Sequence, residues 1–448
     1  MPCAAACAAE VVITGSIAER VVVDAPYAIS VVEREALREA GPMLSLSEAL
    51  VRVPGLVVNN RANYAQDLQI SSRGFGARAG FGVRGVRLYA DGIPATGPDG
   101  QGQVSHFDLA GAQRIEVLRG PYSVLYGNSS GGVIALVSAP ATRREAEGEL
   151  DIGSFGLRQV RATVAAPLGE GFDARAGAST MQIEGYRPHS QARRELANLR
   201  LGWRQDADQV TVIANHLDQP AQDPLGLSRE QFDANPRQTT PQAAQFDTRK
   251  TARQSQLGAS WRHRFGDGAL RDGQVAVYAG QRSVTQWLAI APATQANVRH
   301  GGGVVDFDRS YHGLEARLRW SWDGAELMAG VALDRQSDQR RGFENFTGTG
   351  AGQLLGVTGR LRRDELDTAR SADLFAQGEW AVASSLVASA GVRSGGADLA
   401  AQDAYLGNGD DSGKRNFRYT NPVLGLRWAA AAGLNLHASA ARDRKSVV

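Results

Sequence analysis

The sequence predicts two units in tandem: a small α+β domain over residues 16–146 and, over 147–448, an antiparallel β-meander of the kind that forms a transmembrane β-barrel. Three observations carry this. Up to about residue 146, short apolar runs alternate with helix-start signals and glycine-rich loops. Past the charged stretch Arg143-Arg144-Glu145, strict alternation of apolar and polar residues takes over. In that second part the connections are short at one end of the strands and long at the other, and tryptophans gather beside the short turns.

In the first unit, Ala28-Ile29-Ser30-Val31-Val32 reads as a strand and Glu33 to Glu39 as a helix. A second helix opens at Ser45-Leu46-Ser47-Glu48, where Ser45 and Glu48 have capping-box spacing, and stops at Pro54-Gly55. Strands follow at 56–58, 68–71, 86–90, 114–118 and 132–138.

In the second unit, Leu314-Glu315-Ala316-Arg317-Leu318-Arg319-Trp320-Ser321-Trp322 places an apolar residue at every second position. Residues 257–262 and 374–380 repeat the pattern. Trp203, Trp261, Trp320, Trp322, Trp380 and Trp428 fall at strand ends, where a membrane interface gathers aromatic rings. Brief turns such as 205–208, 323–324 and 383–385 alternate with long polar segments at 182–196, 218–254, 284–310, 337–370 and 397–419. Loops of that length are uncommon in compact soluble domains but usual on one side of an outer-membrane barrel. About thirteen strands are expected.

Composition narrows the function class. No apolar run reaches the ~18 residues of a membrane-spanning helix, which leaves strands as the route across a bilayer. Glycine supplies 52 of 448 residues, well above the usual ~7%, as tight turns and close backbone approaches require. A net charge of +2 gives no reason to propose nucleic acid as a partner. Both cysteines, Cys3 and Cys7, lie in the first nine residues, so neither a disulfide framework nor a cysteine metal site is expected. Residues 1–9 read as the remnant of a signal peptide or a disordered start, Ala6-Cys7-Ala8 having the form of a signal-peptidase site.

Five blocks, in order, resemble the plug of TonB-dependent outer-membrane receptors. Glu10-Val11-Val12-Ile13-Thr14-Gly15 resembles the TonB box, an extended segment able to pair with another protein's sheet edge. Residues 45–56 resemble the family's helix and Pro-Gly turn, Ser71-Ser72-Arg73-Gly74-Phe75-Gly76 its Arg-Gly strand end, and Leu88-Tyr89-Ala90-Asp91-Gly92-Ile93-Pro94 its Asp-Gly-Ile-Pro turn. The longest block runs from Ile115 to Gly127 and resumes from Ser130 to Ile134. The resemblance implies a plug (16–146) inside a barrel of 22 strands, of which about thirteen are present, leaving roughly 200 residues of barrel to be supplied.

It also implies TonB-dependent import of a scarce small molecule across the bacterial outer membrane, with TonB, the substrate and outer-membrane lipid as partners, no cofactor of its own and no catalytic or metal site. Glu10, Val11, Val12, Ile13 and Thr14 would contact TonB. Within the family, residues 73–85 and 94–103 most resemble the branch containing the pyrroloquinoline quinone receptor, so the substrate is either a redox cofactor of that type or a ferric siderophore. Arg73, Phe75, Arg78, Arg84, Asp99, Gln101 and Tyr186 are the substrate-binding candidates. Arg73, Arg78, Arg84 and Arg87 would present a cationic surface to a carboxylate-bearing ligand. Glu116 and Arg119 are expected to hold plug to barrel as paired charges.

Other signals are weaker. Gly74-Phe75-Gly76-Ala77-Arg78-Ala79 fits G-x-G-x-x-A but lacks a βαβ setting. Asp410-Asp411-Ser412-Gly413 lacks a calcium loop's length and closing Glu. A secreted β-rich binding or adhesion protein would share the alternation and the long loops, but not the five blocks. No set of nucleophile, base and orienting group points to an enzyme.

Overall fold

The computed structural model describes residues 11–12, 17, 20–21, 28–60, 62–80, 82–119, 123–127, 130–431 and 434–442. At the start, β1 (Val11–Val12) pairs antiparallel with β2 (Arg20–Val21). Next come β3 (Ala28–Glu33), α1 (Arg34–Glu39) and α2 (Leu46–Leu50). The expected capping box is made: the Ser45 hydroxyl accepts from the Ser47 amide at 3.3 Å and Glu48 accepts from the Ser45 amide at 2.9 Å. It satisfies donors that a helix of this length leaves open.

The remaining strands of the first unit are β4 (Leu56–Asn59), β5 (Gln69–Ser72), β6 (Val83–Arg84), β7 (Arg87–Ala90), β8 (Ile93–Pro94), β9 (Gln101–Gly102), β10 (Ala112–Arg119) and, after the one-turn α3 (Ser123–Tyr126), β11 (Val133–Ser138). Five form a mixed sheet in the order β3-β10-β11-β7-β8, in which only β11 and β7 run parallel. On one face Leu50, Leu88, Ile115 and Ile134 build a dry core against both helices. On the other, Leu118, Tyr126 and Val133 meet Met328, Phe375 and Val423 from the second unit, so the sheet packs directly on a wall of strands. Gly132 permits the turn into β11: its φ is +109°, and a Cβ there would lie 2.0 Å from the Leu118 carbonyl oxygen.

The second unit is one thirteen-stranded antiparallel sheet, matching the number read from the sequence. Its strands are β12 (Glu145–Gly153), β13 (Leu157–Gly169), β14 (Phe172–Ile183), β15 (Ala192–Gln205), β16 (Asp208–Gln222), β17 (Arg249–Arg264), β18 (Leu270–Trp287), β19 (Val304–Trp322) and β20 (Ala325–Phe343), each paired to the next. A small hairpin, β21 (Phe346–Thr347) and β22 (Leu354–Leu355), leads to β23 (Leu361–Ala383), β24 (Leu386–Asp403), β25 (Gly413–Ala431) and β26 (Leu434–Ala441). Among the described residues β12 and β26 do not pair with each other.

Polarity is inverted in this sheet. Leu374 and Leu424 are 66% and 62% exposed, whereas Arg393 and Glu379 are each 3% exposed. Along β17 the inward positions are Lys250, Gln254 and Gln256, and the outward ones near the short turn are Leu257 and Trp261. A water-soluble sandwich would do the reverse; an apolar exterior over a polar interior is the arrangement of a barrel in lipid. Trp261, Trp322, Trp380 and Trp428 point outward at the short-turn end, as an aromatic girdle does.

The connections at the opposite end are shorter than the sequence suggested: 184–191, 223–248, 288–303, 344–360 and 404–412. The strands run on into the polar segments, and β23 reaches 23 residues, where ~9–11 cross a bilayer. Ladder pairing continues beyond the membrane, where both faces meet water or plug and apolar alternation is no longer needed. The remaining loops are packed structures. A buried amide pair, Gln295 to Asn345 at 2.6 Å, ties loop 288–303, which carries α6 (Pro292–Gln295), to loop 344–360. Loop 223–248 carries α4 (Arg229–Ala234) and α5 (Pro241–Gln245).

Candidate functional site

The N-terminal box falls partly outside the described residues. Glu10, Ile13 and Thr14 lie outside them, and Val11 and Val12 pair with Val21 and Arg20 through backbone hydrogen bonding.

The arginine run from Arg73 to Arg87 divides into three environments. Arg73 adopts φ +50° and donates its amide to the Gly55 carbonyl at 3.0 Å, leaving its side chain exposed. Arg78 is exposed as well, and neither guanidinium forms a hydrogen bond or ion pair among the described residues. Arg84 is half-buried on β6 and donates to the Asp99 carbonyl at 3.0 Å. Arg87, expected to face a ligand, does not: it is buried on β7, 3.6 Å from the wall carboxylate Asp334 and stacked 5.9 Å from the Tyr89 ring centroid. Every side chain of β7 is buried, so a cation placed there must pair with the wall. Although burial works against its charge, Tyr89, Asp334 and Tyr278 hold the Arg87 guanidinium firmly protonated.

Asp99 and Gln101 stand beside Arg84, because β6 pairs with β9 in the register Arg84 to Gln101. The Asp99 carboxylate accepts from the Gln101 amide at 3.0 Å and, on its other oxygen, from Arg309 and Gln336 of the wall at 3.2 Å each. Arg309 also pairs with Asp338 at 2.7 Å. Asp99 is thus a tie between plug and wall at the long-loop end of β19 and β20. Beside it opens a cavity lined by Asp338, Asp367, Lys414 and Arg415. Sequence reading missed these wall residues, although each sits at the long-loop end of an alternating strand.

Phe75 is partly buried and exchanges backbone hydrogen bonds with Ser72 at 2.9 and 3.0 Å. Tyr186 is away from this group, in loop 184–191. It meets Phe155 edge-on with ring centroids 5.2 Å apart, and Arg237 of loop 223–248 lies over it at 5.3 Å. The structure therefore brings together Arg84, Asp99 and Gln101 and places Tyr186 in a separate aromatic cluster at the loop rim.

Glu116 and Arg119 hold groups within the plug. Glu116 is fully buried and pairs with Arg114 at 2.7 Å. Arg119 donates to Ser30 at 2.7 Å and to the Pro54 carbonyl, joining β10 to β3 and to the turn after α2. Ties from plug to wall involve further residues. Asp67 pairs with Lys250 at 2.7 Å, Asn63 and Gln66 both donate to Asp223 at 2.8 and 2.6 Å, and Arg393, itself paired with Asp373, donates to the Val124 carbonyl at 3.2 Å. Burial pushes the Asp67 carboxyl up, but Lys250 and Arg282 overcome this and hold it below the usual carboxylate range. Sequence alone gave no sign of these pairs, since each joins residues far apart in the chain. Among the described residues no cluster of His, Cys, Asp and Glu could hold a metal ion.

Residues 21–133 match the model of the TonB-dependent receptor plug domain, and residues 195–443 that of the TonB-dependent receptor-like β-barrel. Similar curated proteins include the vitamin B12 transporter BtuB of Photobacterium profundum (33% identical over 145 residues; 32% of this chain, 23% of that protein). The ferrioxamine B receptor of Salmonella typhimurium is also similar (33% over 153 residues; 33% and 20%). The chain spans about a quarter or less of the length of these two relatives. Among solved structures, the unliganded ferric citrate transporter FecA superposes with a TM-score of 0.76 at 20% identity, covering 94% of this chain and 63% of that one. The ferric yersiniabactin uptake receptor FyuA of Yersinia pestis gives 0.73 at 16% identity, with 92% and 64% covered. These matches carry the fold.

Proposed function

The chain belongs to the TonB-dependent receptor family, and from that premise we propose that it imports a scarce, carboxylate-bearing small molecule across the outer membrane. The observation that supports this best is the inverted polarity of the strand wall with a folded plug seated on its polar face. A wall apolar toward lipid and charged within defines a route for polar solutes, and the plug blocks it until displaced. The same observation disfavours a secreted adhesion protein, whose exterior would meet water.

In this reading substrate lodges between the long loops and the plug surface that carries Arg73, Arg78, Arg84 and Gln101. Among the described residues, Arg73 and Arg78 are the arginines of the run whose guanidiniums make no hydrogen bond or ion pair, and a guanidinium in that state suits a carboxylate. The substrate is a ferric siderophore or a redox cofactor of the pyrroloquinoline quinone type, and the arginine surface favours the members of either class that carry free carboxylates. TonB engages Glu10 to Thr14 by strand addition and transmits work from the inner membrane, because the outer membrane holds no ion gradient. Residues 10–15 act as the box, 16–146 as the plug and 147–448 as wall.

Deleting residues 10–14 in the full-length receptor tests the mechanism. Uptake of labelled substrate should stop while surface binding persists, and undiminished transport would overturn the TonB reading. Direct titration of ferric siderophores and pyrroloquinoline quinone then decides between the two substrate classes.

A further inference from the structure

The exterior of the strand wall carries an uneven charge where β20, β23, β24 and β25 leave the apolar band. Arg335 of β20 and Arg370 of β23 are directly opposed Cα partners on the outward face, and both side chains are exposed. Residues so opposed stand about 4.5–5.5 Å apart, and like charges in that position repel. His312 of β19 extends the row on one side and Asp398 of β24 on the other. Asp398 is the one carboxylate in the row, and it is taken by Arg418 of β25 at 2.8 Å. Gly396 makes room for that pair, since a side chain there would collide with the Arg418 guanidinium. Among the described residues neither Arg335 nor Arg370 forms a hydrogen bond or ion pair.

The other acids close by are engaged elsewhere. Asp334 and Asp373 face the interior, where they stand 3.6 and 2.7 Å from Arg87 and Arg393. Asp308, farther toward the long loops on the outer face, lies 3.4 Å from Arg341. Two other outward arginines beyond the apolar band each have a carboxylate: Arg253 has Asp218 and Arg341 has Asp306, both at 3.2 Å. Height then places the opposed pair. On β23 the outward side chains run from Trp380, 45% exposed at the short-turn end, through Leu374 to Arg370. At ~3.3 Å per residue these ten steps span about 33 Å along the strand, which a tilt of ~40° reduces to about 25 Å across the membrane. That is the height of the apolar band of an outer-membrane barrel, so Arg335 and Arg370 stand level with the headgroups on the long-loop side. An open groove runs beside them over Ala372 and Gly396, bordered by Leu333, Leu374 and Arg418.

We propose that this exterior groove binds one phosphate-bearing lipid of the outer leaflet, its phosphate bridging Arg335 and Arg370 and an acyl chain lying on Leu333 and Leu374. Two guanidiniums that repel each other when alone are drawn together by one phosphate, whose oxygens accept from both. The apolar side chains next to them continue the lipid-facing surface, so one molecule satisfies the charge and the groove at once. A zwitterionic headgroup brings its own cation to the pair and fits it less well. This assignment follows from the membrane setting of the family, and neither the substrate nor the TonB mechanism enters into it.

The test is native mass spectrometry of the purified full-length receptor titrated with dioleoyl phosphatidic acid, and separately with dioleoyl phosphatidylcholine and with sodium phosphate. One phosphatidic acid should be retained saturably, at least tenfold more tightly than phosphatidylcholine or sodium phosphate. Arg335→Gln combined with Arg370→Gln should lower that affinity tenfold or more, and Arg253→Gln should leave it unchanged. The double variant keeps its fold, because it alters two exposed side chains that hold no protein group and relieves their repulsion; unchanged heat-modifiable gel mobility checks this. Sodium phosphate held as tightly as the lipid would make the occupant a free anion and overturn the proposal. Equal retention of the two lipids, or wild-type affinity in the double variant, would overturn it as well.

Discussion

Replacing Asp334 by alanine should loosen the plug without dissolving the barrel. Arg87 and Asp334 lie 3.6 Å apart with side chains 7% and 6% exposed. Asp334 also accepts from Tyr278 and, at 3.1 Å, from Ser371. Removing the carboxylate leaves the Arg87 charge buried and unpaired, a change that costs about 3–5 kcal/mol. At 1.36 kcal/mol per decade this is roughly a 150-fold to 5,000-fold rise in the population of states in which β7 has left the wall. Amide hydrogen exchange on the full-length receptor reads that population directly. Protection of β7 and β11 should fall by about two to four decades, while β13 to β15, remote from Asp334, keep theirs. Replacing both members of the pair, as Arg87→Met with Asp334→Leu, should recover most of the loss, because an apolar pair is no worse buried than an ionic one. Unchanged protection in the single variant, or equal loss in β13 to β15, would refute the assignment of this pair as a plug anchor.

Gly132→Ala should destabilise the plug by about 1–3 kcal/mol, from positive φ and a Cβ 2.0 Å from the Leu118 carbonyl oxygen, read as a lowered denaturation midpoint. A midpoint equal to wild type would mean that β10 and β11 can separate freely. The Asp67–Lys250 tie has a defined acid limit. Because the folded-state carboxyl is depressed, its stabilisation is complete above the unfolded value of ~3.9 and is lost as pH falls through the lower folded value. The stability difference between wild type and Asp67→Asn should therefore be constant from pH 7 to 5 and shrink below about 4; a difference that already fades at pH 6 would contradict the pairing. Arg78→Gln should weaken substrate binding tenfold or more, the loss of one charge-assisted contact, with unchanged stability. Arg84→Gln should instead lower stability, since Arg84 braces the Asp99 carbonyl at 3.0 Å. Affinity retained in Arg78→Gln would remove the anion-recognition reading.

Local features were written in the chain because local chemistry decides them. Ser45 and Glu48 sit at the one spacing that lets both caps form, and they form. Alternation from Leu314 to Trp322 fixes which side chains share a face, and the thirteen strands follow from repeating it. The aromatic positions told which strand ends meet a membrane interface, but alternation alone could not say whether the apolar face looked inward or outward. Only the plug, seated against Arg393 and Lys250, turned the charged face inward.

Charge partners were not legible. Arg73, Arg78, Arg84 and Arg87 read as equivalent cations, yet β7 carries Arg87 into contact with Asp334 while Arg73 and Arg78 lie exposed at the surface. Glu116, buried on β10, pairs with Arg114 two residues away, a partner that the sequence did not single out. Loop lengths were overestimated, since ladder hydrogen bonds extend strands through polar segments that carry no apolar pattern. Periodicity along a chain specifies the face on which a residue lies. The group opposite it across an interface depends on how two separately folded surfaces dock, and that is decided by tertiary packing, where an unpaired buried charge excludes all but a few arrangements.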